Sequence, residues 1–222
     1  MVFQFFKGGE STIDVVEATL VQMVLDGRDV YDTAMEALFG GGKSKETKKE
    51  LQTTDRGINT AQQDVRRDLM LHASVNDTVD LPLVLAYMST VKDVERIGDY
   101  SKNFYDLVKY GANFEGAPDY ELLADYRDRV STLLCDAADT FKERDEDRAR
   151  ALIAKADGFL DEYDDQVKVA SQSTGPASDA VARALYFRFL KRITAHVMNF
   201  LTSLVLPVDR LDYYDESKDD RL

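Results

Sequence analysis

The stretch "KDVERIGDYSKNF", residues 92–104, decides how this chain is read. Val94, Ile97, Tyr100 and Phe104 fall three or four residues apart, the spacing of one face of an α-helix. The same helix stacks Glu95 and Asp99 on one face, four residues apart, with Gly98 between them. Like charges at that spacing mildly destabilise an isolated helix. A glycine in a helix interior costs about 1 kcal/mol relative to alanine. Two readings stay open for this stretch. In one, the carboxylates lie on a solvated face and Lys92 and Lys102 each neutralise one through i,i+3 contacts. In the other, the carboxylates hold a cation, which removes their mutual repulsion, and Gly98 admits a neighbouring backbone or a hydrated ion.

Helical spacing continues on both sides of the stretch. Upstream, Ile13, Val16, Leu20, Val24, Val30, Ala34 and Leu38 predict a helix over 11–39, stopped by the glycines of "GGGKSK". A second helix is predicted over 44–73, and a third from Pro82, with Asp80 as its N-cap, to near Gly111. "GANFEGAPDY" (111–120) is the best candidate for a boundary, dividing the chain into 1–114 and 115–222, the latter ending in a short acidic tail. Beyond it helices are predicted over 119–144, from the turn "ERDEDR" to about 171, and over 178–211 with a bend at Pro207. Six helices in two sets of three, joined by short connections, predict an all-α fold of two tandem three-helix bundles with antiparallel neighbours.

The halves also match in residues. "ERIGDYSKNF" (95–104) set against "KRITAHVMNF" (191–200) keeps Arg, Ile, Asn and Phe at an offset of 96. "TDRGIN" (54–59) parallels "ADGFLD" (156–161). With the helix count, this makes a duplicated three-helix unit the better explanation.

Charge and composition narrow the function. The chain carries 41 acidic against 28 basic residues, a net −13, which argues against general affinity for nucleic acid or anionic lipid. The one basic run, "KSKETKK" (43–49), reads as a solvated loop between helices. Cys135 is the only cysteine, so no internal disulfide forms, and its apolar neighbours predict a small core residue. "MVFQFFKGGE" lacks the basic start of a signal peptide. The most apolar stretch, "HVMNFLTSLVLPV", is too short and too interrupted for a membrane span. These features point to a soluble, cytoplasmic protein. Val2–Phe6 reads as an apolar stub that packs across a bundle end or docks on a partner, and "LDYYDESKDDRL" as a solvated tail.

Antiparallel second and third helices would bring Asp55 and Asn59 towards Glu95 and Asp99, four oxygen-bearing side chains that suit a hard or borderline cation. Asp157 and Asp161 repeat the spacing in the second half. Glu-x-x-His pairs, a glycine-rich phosphate loop, a G-x-S-x-G elbow and a Cys/His nucleophile arrangement are all missing from the sequence, which argues against catalysis. A lone His196 on a largely apolar helix reads as a core or rim residue, and His72 as a helix C-terminal cap.

"VKDVERIGDYSKNF" resembles the signature of the PhoU family, whose repeats carry a Glu-Arg-Ile-Gly-Asp core followed by Asn. "TTDRGINTAQQDVRRDL" resembles the family's second helix, and "LLCDAADTFKERDEDRARALIAKADGFLDEYDDQV" its fourth and fifth. The resemblance implies a regulator of phosphate uptake and phosphate signalling. Such a protein docks on a phosphate transporter, ATP-driven or sodium-coupled, and on a phosphate-sensing histidine kinase, and damps them when phosphate is plentiful. It also implies iron or zinc on the acidic motifs, with Asp55, Glu95 and Asp99 as ligands and Asn59 where the family often has an acid. The second repeat departs from the pattern, since Lys191 and Ala195 stand at the motif's acidic positions. There the expectation is a lost site, shut by Lys191 pairing with Asp157 or Asp161. Open alternatives are a metal-free accessory subunit of a phosphate permease and, as an assembly state, a homodimer.

Overall fold

The computed structural model describes residues 11–75 and 79–211. Val2–Phe6 and the acidic tail beyond Leu211 lie outside the described residues. Six α-helices and no strand occur among those described: α1 (Thr12–Glu36), α2 (Lys45–Val75), α3 (Leu81–Lys109), α4 (Tyr120–Glu143), α5 (Glu146–Ser171) and α6 (Ala177–Val205). None of them is long and apolar enough to cross a membrane.

Local chemistry sets the helix ends. Ser11 caps α1 in a reciprocal box, its hydroxyl accepting from the Asp14 N–H while the Asp14 carboxylate accepts from the Ser11 N–H. Asp80 caps α3 through the Leu83 N–H, with Pro82 in the first turn. The chain leaves α1 through a wide turn, Ala37–Gly41, where Gly40 adopts φ 138°. That conformation is open to glycine and strained for other residues. The helix at the C-terminal end is shorter than its periodicity predicts. α6 stops at Val205, Leu206 is extended, and a single 3₁₀ turn (Val208–Arg210) follows, so Pro207 ends the helix and does not bend it. Proline excludes the helical conformation from the residue before it.

The helices form two sets, α1–α2–α3 and α4–α5–α6, joined through the turn at 110–119. The sets meet broadside: α1 packs on α4 and α3 on α6, while α2 and α5 lie on the two flanks. The pairs across the seam fix its geometry. The Tyr31 hydroxyl donates to the Arg127 carbonyl at 3.0 Å, and Tyr100 stacks on His196 with ring centres 5.6 Å apart. Both pairs sit at the offset of 96 seen in the sequence repeat, so equivalent positions of the two halves meet. Towards the ends, Arg28 bonds Ser131 while Arg144 pairs with Glu17, which makes α1 and α4 antiparallel. An approximate two-fold axis therefore passes near Tyr31/Arg127 and Tyr100/His196. One continuous apolar core crosses the seam, with Tyr31, Phe104, Phe114 and Tyr186 fully buried in edge-to-face contacts. Cys135 lies off that core, half-buried.

Candidate functional site

The acidic motif lies where α2 and α3 run antiparallel, in the register that sets Ile58 against Gly98. Gly98 is the point of close approach, since a methyl group there would come within 2.8 Å of Ile58 Cδ1. A side chain, not an ion, fills the space that the glycine leaves.

That register brings Asp55 and Asp99 together, and a lysine joins them. The Lys102 ammonium donates to Asp55 Oδ1 at 2.8 Å and contacts Asp99 Oδ1 at 2.9 Å. Desolvation pulls the Lys102 ammonium down, but hydrogen bonds and charge from Asp55 and Asp99 outweigh it, and its pKa is raised above the ordinary lysine value. Arg96 adds a longer contact to Asp99 at 3.6 Å. Glu95 is 7% exposed and is held by the Lys92 ammonium at 2.5 Å. The Asn59 amide donates to the Asp55 main-chain carbonyl, one turn back on its own helix. A cleft of about 270 Å³ opens beside the lysine, lined by Lys48, Gln52, Tyr105 and Lys109 among others.

Asp157 is half-buried and Asp161 exposed on α5, and Lys191 pairs with Asp164. His196 is a seam residue. Its Nδ1 lies 2.8 Å from Asp93 Oδ1, and the Asn199 amide donates to the same oxygen at 3.1 Å. Sequence reasoning missed Asp93. The available signal was the pair His196 and Asn199, two polar residues three apart in the apolar C-terminal part of α6.

The family model described as "PhoU domain" matches residues 20–108, from the third turn of α1 to the end of α3. Over these residues the chain is similar to PhoU domains. Two crystal structures share the fold of the chain. PhoU from Pseudomonas aeruginosa superposes with a TM-score of 0.74 at 21% identity, covering 90% of this chain and 97% of that one. The phosphate transport system regulatory protein PhoU from Streptococcus pneumoniae gives 0.74 at 18% identity, covering 94% and 96%. No curated protein sequence matches the chain. At these identities the structural likeness is one of fold.

The likeness to PhoU domains raises the question of metal, and the folded donor set does not fit iron or zinc. Among the described residues, no three His, Cys, Asp or Glu side chains gather around a point that could hold an ion. Protein sites for zinc supply three or four ligands. Here two carboxylates converge, and an ammonium lies between them. Of the four residues expected to cluster, Asp55, Asn59, Glu95 and Asp99, the neighbouring α2 and α3 bring Asp55 and Asp99 onto one lysine, Lys102, while Glu95 pairs with Lys92 and the Asn59 amide bonds its own helix.

Proposed function

We propose that this protein regulates phosphate uptake and phosphate signalling as a non-catalytic, cytoplasmic adaptor that binds a phosphate transporter or the sensor histidine kinase coupled to it. The observation that carries the reading is the PhoU domain match over all three helices of the first bundle, motif included. A solved protein of the same fold bears the description of a phosphate transport regulator, which agrees with it. The ion-paired acidic site favours the metal-free form of the adaptor over one that needs iron or zinc.

An adaptor requires a face to present. The register that sets Ile58 against Gly98 also sets Leu71 against Leu85 and Val75 against Leu81, since both helices rise equally per residue. All four side chains are about half exposed or more, and they form an apolar strip at one end of the α2–α3 face. We assign this strip to the transporter. Co-purification of the full chain with a co-expressed phosphate permease tests the assignment, comparing wild type with Leu71→Ser/Leu85→Ser. Removing two apolar anchors should weaken capture about tenfold or more. Equal capture of both proteins would refute the strip, and no capture of either the permease or the kinase by wild type would refute the adaptor.

A further inference from the structure

We infer that Lys102 is a built-in counter-cation that occupies the position of a metal between α2 and α3, so that this site ties the two helices together without iron or zinc.

Three observations lead there. The first is position. Lys102 Nζ lies within 2.9 Å of one oxygen from each helix, the place from which a bridging ion would have to reach both. An ammonium presents three donors and can satisfy both carboxylates at once. A divalent ion entering the same gap would face that positive charge at contact distance, and like charges in a partly desolvated site repel strongly.

The second is charge balance. Asp55, Glu95 and Asp99 are matched by Lys92, Arg96 and Lys102, each within ion-pair distance of one of them. Three anions against three cations leave no excess negative charge to attract a metal. An uncompensated carboxylate cluster would instead draw in a cation or a proton.

The third is the state of the remaining donors. Glu95 is nearly buried and faces Lys92, and the Asn59 amide is turned onto its own helix. Recruiting Glu95 as a ligand would bring a metal ion up against the Lys92 ammonium, and like charges repel. The site is thus closed as an ion-pair network, whose α2–α3 link is Lys102 to Asp55.

Elemental analysis of the full chain, purified without chelator and dialysed against zinc or ferrous iron, tests this independently of any partner. Wild type should hold far less than one ion per chain, and Asp55→Asn/Asp99→Asn should not change that. Lys102→Met removes the charge while keeping the length of the side chain, and should retain several-fold more zinc than wild type at the same free zinc, with Asp55 and Asp99 among its ligands. Asp99→Asn in that background should abolish the uptake, and Lys102→Arg should stay empty. Circular dichroism checks that each variant is folded, and wild type against Asp55→Asn/Asp99→Asn decides the matter alone if Lys102→Met unfolds. About one ion per wild-type chain, lost in Asp55→Asn/Asp99→Asn, would overturn the inference. So would a folded Lys102→Met that retains no more zinc than wild type.

Discussion

A methyl group added at Gly27 would meet Ile97 Cγ2 at 3.0 Å, and one added at Gly98 would meet Ile58 Cδ1 at 2.8 Å. The shorter distance is the easier one to relieve. Ile58 Cδ1 is the free end of its side chain and can rotate away, whereas Ile97 Cγ2 is fixed directly to Cβ and moves only with the α3 backbone or with χ1, which a helix holds in one strongly preferred rotamer. Both glycines sit inside helices, so alanine gains about 1 kcal/mol of helix propensity at either position. At Gly98 that gain should roughly offset the displaced Ile58. At Gly27 the contact between α1 and α3 must open, and overpacking of that kind costs about 1–3 kcal/mol. Urea denaturation should therefore find Gly27→Ala clearly destabilised and Gly98→Ala close to wild type. The reverse order would mean that the α2–α3 contact, not the α1–α3 contact, is the rigid one. The glycine at the centre of the motif was plain in the sequence, but its neighbour was not, because nothing local says that Ile58 lies across from it.

At the level of helices, Asp119 shows how a cap position is diverted to a tertiary task. It precedes α4, yet its side chain makes no cap bond. Both carboxylate oxygens accept from Arg183 of α6 at 2.6 Å, a two-pronged pair that ties the start of α4 to α6. The hydrogen bonds from Arg183 hold the Asp119 carboxyl below its usual 3.8. A carboxylate with a lowered folded pKa adds stability that is fully present above the unfolded value and lost as pH falls through the folded one. Urea midpoints measured from about pH 5 down to about pH 2 should thus fall less steeply for Asp119→Asn than for wild type. Parallel slopes would show that the pair contributes nothing. Helix existence, the Asp80 cap and the i,i+3 pairs of Lys92 and Lys102 were all legible, because each depends on residues within one turn. Pairings such as Asp119 with Arg183, or Lys102 with Asp55 47 residues away, were not. Periodicity says which face of a helix is buried, but not which helix covers it.

Across the whole molecule the repeat has a physical consequence. A duplicated unit suggests two separable bundles, but the seam gives each half much of its core. Phe104 of α3 packs edge-to-face on Tyr186 and Phe189 of α6 as well as on Tyr31 of its own half. Phe114, in the connecting turn, is buried against both Phe39 and Tyr186. Polar ties close the seam at separate points: Glu17 with Arg144, Asp93 with His196, and the Tyr31 hydroxyl on the Arg127 carbonyl. Losing one half would expose the aromatic layer of the other, so neither is stable alone to the same degree. Calorimetry should accordingly show one transition, with calorimetric and van't Hoff enthalpies in agreement. Phe104→Ala should cost about 3–5 kcal/mol and shift that transition as a unit. If the variant instead split the trace into two peaks, with one near the wild-type temperature, the halves would be independent folding units and the seam only a contact between them.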